Sequence, residues 1–300
     1  MSILVLGTVA LDTVKTPFGH RRQILGGSAV HFAMSARLFT RVNLVAIIGR
    51  DFPEKHIRFL KSKGLILTSL IRSSGKTFKW EGEYKGDLDC AFTLNTELGV
   101  LSAFKPSIQR SQQDIGYIFL ANVDPDIQRH LLENMRSPRL VGLDSMNYWI
   151  KHKRPSLMKL LKKVDIFVAN EEEAKSLSGE HSLVNAARSL HRRGPRMVLI
   201  KKGENGVLLY ADNFIFSVPA YPTGRVIDPT GAGDTFAGGF MGYLASKNRV
   251  NQANIRKAAA FGTVAASFNI EGFGVERSAR LSIKDLRQRI SKLKLSLIHI

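Results

Sequence analysis

The sequence predicts an α/β protein: a mainly parallel sheet with helices on both faces and a small discontinuous β lid inserted into it. Three observations carry this. Short apolar runs of strand length recur along the chain, helix-period patterns separate them, and two stretches contain no good helix at all. Residues 3–9 read as a strand buried on both faces. A helix over 28–39 follows the pair Gly26-Gly27, then a strand over 42–48 and a helix over 54–63 stopped by Gly64. Strands are expected at 117–121, 140–144, 166–169 and 197–200. Helices at 126–135, 156–162, 171–177 and 183–192 alternate with them, which is the pattern of parallel strands joined by crossovers. The C-terminal third is helical, over 234–246, 251–269 and 283–293, with the last residues free to fray. The stretches without a helix, 13–25 and 67–100, leave the sheet after its early strands. Residues 77–84 alternate with period two, as a half-exposed antiparallel strand does. Together they are expected to form the lid, at the edge of the sheet where ligands of open α/β folds bind. All 300 residues then make one large domain, 1–300, with the lid inserted within it.

Composition narrows the class. A hydrophobic content of 44% with 17 Phe excludes a disordered chain. The single cysteine, Cys90, excludes an internal disulfide and a multi-thiolate metal site, and fits a cytoplasmic protein. The longest uncharged apolar stretch, 258–270, is too short to span a membrane, and the first residues carry no basic region of a signal peptide. The formal charge of +19 points to an acidic partner such as nucleic acid or a phosphorylated metabolite, or to a solvated basic surface. The excess is spread over several helices rather than gathered in one stripe, which favours the surface.

The chemistry concentrates in Asp228-Pro229-Thr230-Gly231-Ala232-Gly233-Asp234-Thr235-Phe236. Glycines before a helix let backbone N–H groups converge, and the helix N-terminus adds unpaired donors and a positive dipole end. This is an anion hole, with Asp234 either capping the helix or serving as a general base beside it. No Lys-Ser or Lys-Thr follows the glycines, so the segment is not a P-loop. It does not open from the first strand as a dinucleotide fingerprint does, and no protein-kinase motif occurs.

The same run resembles the C-terminal signature of the ribokinase-like (PfkB) carbohydrate kinases. Gly7-Thr8 with Asp12, the pair Gly26-Gly27, Asn170-x-x-Glu173 and Lys201-Lys202-Gly203 with Gly206 are similar to further family motifs, in family order. The resemblance implies a three-layer αβα ribokinase-like fold and an ATP-dependent small-molecule kinase. Asp234 would be the catalytic base, and Gly231, Ala232 and Gly233 the anion hole. Lys202, Gly203, Gly206, Thr230, Asn251 and Gly262 would line the nucleotide site. Strand alternation turns only one of Lys201 and Lys202 toward a ligand, and Lys202 is the expected one. Asn170 and Glu173 would act on Mg²⁺, directly or through water, although three glutamates at a helix start also complement the dipole without any metal. Asp228 would face a monovalent cation such as K⁺.

The resemblance also places Asp12, Gly26, Gly27, His31 and Asn122 at the acceptor. His31 stands where many members carry Asn, and no arginine follows Asp144-Ser145-Met146-Asn147, which speaks against a sugar acid or sugar phosphate. The expected acceptor is therefore a neutral sugar or polyol. A nucleoside is the alternative, motivated by His31 and by Phe78, Trp80 and Tyr84 on the lid, which could stack on a base. Two readings from other classes are a basic nucleic-acid-binding protein on a kinase-like scaffold and a catalytically silent regulator. Intact motif positions make both weaker, and nucleic acid is not the expected partner. Lids of this kind often pair between subunits, so a homodimer through the lid is expected.

Overall fold

A computed structural model describes residues 1–86, 88 and 91–297, with side chains to residue 293. Cys90 lies outside the described residues, as do residues 298–300 of the expected frayed tail. The chain runs β1 (Ser2–Leu6), β2 (Ala10–Thr16), β3 (Gly19–Gly26), α1 (Ser28–Ala36), β4 (Arg41–Ile48), α2 (Glu54–Ser62), β5 (Ile66–Arg72), β6 (Lys79–Tyr84) and β7 (Ala91–Glu97). It continues through β8 (Tyr117–Leu120), α3 (Pro125–Glu133), β9 (Leu140–Asp144), α4 (Asn147–His152), α5 (Arg154–Leu161), β10 (Ile166–Asn170), α6 (Glu171–Ser178), α7 (Leu183–His191) and β11 (Met197–Lys201). It ends with β12 (Val207–Ala211), β13 (Phe214–Val218), α8 (Ala232–Lys247), α9 (Gln252–Asn269) and α10 (Ile283–Leu297).

The central sheet has the order β13-β12-β11-β10-β9-β8-β1-β4-β5. From β11 to β5 every pairing is parallel, and β12 and β13 add an antiparallel hairpin at one edge. The apolar runs are continuous because both faces are covered. Ile3 and Val5 of β1 pack on the face that carries α1, α8 and α9, while Leu4 and Leu6 pack on the face that carries α3, α5, α6 and α7. Helix α8 lies close to its neighbours through small residues. A Cβ on Gly239 would stand 2.9 Å from Gly262 of α9, and one on Gly242 would stand 2.9 Å from Ala36.

The second sheet, β3-β2-β6-β7, is the expected lid. Its two hairpins come from the two insertions and join through a parallel β2–β6 pairing. Its bounds differ from those expected. The first arm already begins at Ala10, and residues 67–72 belong to β5, an edge strand of the central sheet. Strand β5 escapes the sequence pattern because most of its residues are only partly buried. The inner face of the lid packs Val14, Trp80, Tyr84 and Leu88 against Val226, Ile227 and Phe273 of the loops around the glycine segment.

Candidate active site

The C-terminal ends of β9, β10 and β11 and the N-terminal turn of α8 converge under the lid. Gly231 precedes α8 at φ 72°, a left-handed conformation that favours glycine, and a Cβ there would collide with the His31 ring. The helix begins at Ala232, so Asp234 sits inside the first turn and is not its cap. Ala232 N–H donates to the Pro229 carbonyl, while the amides of Gly231 and Gly233 find no backbone acceptor among the described residues. Free donors at a helix start, together with the dipole, favour an anion there.

Four charged side chains meet there. Lys201, at the end of β11, places its ammonium 3.1 Å from Asp144 Oδ2 at the end of β9. A Cβ on Gly233 would stand 2.8 Å from the same Nζ. Burial pushes the Asp234 carboxyl up to about 7; Asp144 and Glu173 add to the shift and Lys201 opposes it. Burial likewise lifts Glu173 to about 7, opposed by Lys201 and reinforced by Asp144. For Lys201 burial acts downward, but the surrounding carboxylates Asp144, Glu173 and Asp234 outweigh it and hold the group above the usual lysine range.

Of the two neighbouring lysines, Lys201 is the one that meets these carboxylates, whereas the resemblance points to Lys202 as the phosphate contact. Lys202 N–H donates to the Gly206 carbonyl at 2.7 Å, which closes the turn, and its ammonium has no partner among the described residues. Gly203 and Gly206 take φ of 53° and 83° in that turn, beside the site. Asn170 and Glu173 form a reciprocal capping box at the start of α6: Glu173 N–H donates to Asn170 Oδ1, and Asn170 N–H to Glu173 Oε2. Among the described residues no group of three or more His, Cys, Asp or Glu could hold a metal ion.

Asp228 is fully buried and accepts from Thr230 N–H and Gly274 N–H, both at 2.9 Å. It thereby pins the glycine loop to the loop after α9. Thr230 Oγ1 lies 3.2 Å from the Tyr84 hydroxyl, which brings the lid down onto the glycine loop. Asn251 and Gly262 each have a structural role in α9. Asn251 caps α9, accepting from Asn254 N–H, and lies at the opposite end of that helix from the Asn269–Thr230 contact, roughly 25 Å away. Gly262 is a close-packing point against Phe236.

On β2, Asp12 is buried and its Oδ2 accepts from Gly27 N–H at 3.2 Å. Burial raises its carboxyl to about 7, the Gly27 amide opposes this, and Asp228 and Asp234 reinforce it. A Cβ on Gly26 would collide with that carboxylate, and one on Gly27 with the Thr8 carbonyl. His31 is buried under the glycine loop with Nδ1 3.2 Å from Asn269 Oδ1, and Asn269 Nδ2 donates to the Thr230 carbonyl. Burial draws the imidazole below its ordinary range. The His31–Asn269 strut therefore supports the glycine loop from beneath. Asn122 Oδ1 accepts from Trp149 Nε1 at 3.0 Å, which fixes an aromatic side chain of α4 at the sheet edge. Of the lid aromatics, Trp80 folds along its own sheet, donating to Thr93 Oγ1, and Phe78 packs against the core of the central sheet.

The model of the pfkB family carbohydrate kinases matches residues 11–280. A cytidine kinase from Thermococcus kodakarensis is 34% identical over 251 residues, covering 81% of this chain and 88% of that protein. Among solved structures, the nucleoside kinase of Methanocaldococcus jannaschii superposes with a TM-score of 0.78 at 20% identity, over 97% of this chain and 98% of that one. A structure from E. coli described as Ribokinase II, in complex with ATP and Mg²⁺, superposes with a TM-score of 0.81 at 16% identity, over 97% and 99%.

Proposed function

The chain belongs to the pfkB family of carbohydrate kinases, phosphotransferases that act on hydroxyl groups, and from this we propose that it is a cytoplasmic, ATP-dependent nucleoside kinase with Asp234 as its base. The observation that carries the mechanism is the placement of Asp234 in the first turn of α8, beside the open amides of Gly231 and Gly233. Its carboxyl, raised to about 7, is poised to take the proton of an acceptor hydroxyl near neutral pH. The amides receive negative charge on the phosphoryl group, and the lid excludes water. Gly203 and Gly206 bring the β11–β12 turn close to the nucleotide phosphates.

Asn170 and Glu173 fit the magnesium of MgATP rather than a resident ion. They offer few ligands of their own, so phosphate oxygens and water would complete the shell. Mg²⁺ held there with the nucleotide would neutralise phosphate charge. Asp228 is buried and hydrogen-bonded to amides alone, so K⁺ beside it would supply a countercharge.

The nucleoside reading is supported by the cytidine kinase relationship and by the Trp149 ring held at the acceptor edge by Asn122. Asp12 leaves room for a second reading, a free sugar or polyol, because its carboxyl has an oxygen to spare for a hydroxyl of either class. An ADP-release assay separates them, run with cytidine, purine nucleosides, ribose and polyols, each with and without K⁺. Nucleosides are expected to exceed free sugars in kcat/KM by about tenfold or more, the worth of one good contact. Turnover of sugars alone would overturn the nucleoside reading, and equal rates without K⁺ would remove the cation. We further propose that the lid mediates a homodimer: β7 is an edge strand, exposed along its whole length, that presents Phe92 and Leu94.

A further inference from the structure

Strand β11 delivers an ammonium into a nest of acids. Asp144 faces Lys201 from β9, Glu173 from α6 and Asp234 from α8. Three carboxylates thus compete for one cation. A direct Lys201–Asp234 pair would occupy the oxygens that a base needs. The structure shows the ammonium on Asp144 instead, at 3.1 Å, with 19% of the lysine side chain and 5% of the aspartate exposed. Asp144 is itself fixed, because its Oδ1 accepts from Ser145 N–H at 2.8 Å. The pair leaves Nζ close against Gly233, where the anion hole opens.

We infer that Lys201 is a catalytic cation that contacts the transferred phosphoryl group, and that Asp144 is the positioning residue that holds it over Gly233 and away from Asp234. This rests on the kinase reading. In the transfer, the acceptor oxygen forms a bond to the γ-phosphorus and its proton passes to Asp234. The bond from that phosphorus to the β–γ bridging oxygen breaks, and ADP leaves with the electron pair. An ammonium has three N–H donors. Asp144 takes one and two remain for phosphoryl oxygens, which the neutral amides of the glycine loop contact from another side. Burial makes this cation effective, since few waters screen it. It also makes it hazardous, since an untethered ammonium would settle on the base.

The test uses the full chain as wild type, Lys201→Met, Asp144→Asn and the double variant. The double variant is a neutral pair of similar volume and keeps the fold if Lys201→Met alone strands a buried carboxylate. Without acceptor, Lys201→Met and the double variant are expected to weaken a nonhydrolysable ATP analogue about tenfold more than ADP, because only the former presents a γ-phosphoryl group. Equal losses for the two nucleotides overturn the inference. With acceptor, Lys201→Met is expected to lower kcat about 100-fold with acceptor KM nearly unchanged. Asp144→Asn is expected to lower kcat about tenfold in the wild-type background and to cost nothing further beside Lys201→Met. Additive losses overturn the positioning role. A wild-type protein that binds both nucleotides yet transfers nothing would sink the kinase reading, while the nucleotide comparison would still decide on the lysine.

Discussion

Asp234, the base we propose, has to meet two opposed requirements. It must be buried enough to hold a proton near neutrality, yet not paired so tightly that it never releases an oxygen. Burial and Asp144 push it up, Lys201 pulls it down, and the result is about 7. Asp234→Asn keeps the shape, removes the proton acceptor and is expected to lower kcat about 1,000-fold with the fold intact. A near-normal rate in steady-state assays would remove Asp234 as the base. In the wild type, kcat/KM is expected to rise with pH through about 7, because only the ionised form accepts a proton. The motif Gly231-Ala232-Gly233-Asp234 was legible because it is local: glycines, a helix start and an acid lie within four positions. The lysine was legible only to within one position, since the parity of a strand end cannot be read without its last paired residue. Its bond to Asp144 joins residues 57 positions apart and leaves no local trace. Asn251 carries a signal the sequence leaves ambiguous: a polar residue before a helix reads as a ligand or as a cap, and the structure shows it capping α9.

At the scale of elements, period-two alternation in residues 77–84 was enough to predict the lid strand, because one face is buried and the other is not. Strand β5 lacks that contrast, so its sequence reads as part of the lid, and the β12–β13 hairpin lies outside the expected elements. Strand β7 is the element with unfinished business. It pairs with β6 on one side only and exposes Phe92 at 55% and Leu94 at 56%. An exposed edge with a row of apolar side chains is stable in solution when a partner covers it. The wild type is therefore expected to run as a dimer in light scattering at micromolar concentration. Phe92→Lys with Leu94→Lys is expected to run as a monomer with unchanged helical content, because neither side chain belongs to a core. A monomeric wild type would end the proposal.

At the scale of the molecule, two electrostatic features oppose each other. The whole chain carries a formal charge of +19, while the site concentrates carboxylates, and Asp12 and Asp234 are both raised from 3.8 to about 7. Burying acids next to acids disfavours the ionised folded state, and the basic exterior does not relieve it, since solvent screens charges beyond about a Debye length. The sign of the linkage follows. Between roughly pH 4 and 7 the folded protein holds protons that the unfolded chain has released, so these two groups stabilise the fold at low pH and lose that contribution as pH rises through about 7. Each contributes about 1.4 kcal/mol per pH unit within the window. Acidification also raises the net positive charge, which works the other way, so the wild-type curve alone does not isolate the effect. The difference between Asp12→Asn/Asp234→Asn and wild type does, because the surface charge cancels. In urea unfolding, the double variant is expected to match wild type near pH 4, gain stability steadily above it and level off above about pH 7. A gain that stays flat across this range would mean that both acids ionise at ordinary acidity in the folded protein. Asp234 would then lack the basicity that proton removal at neutral pH requires, and the site would have to draw its rate from the anion hole and Lys201 alone.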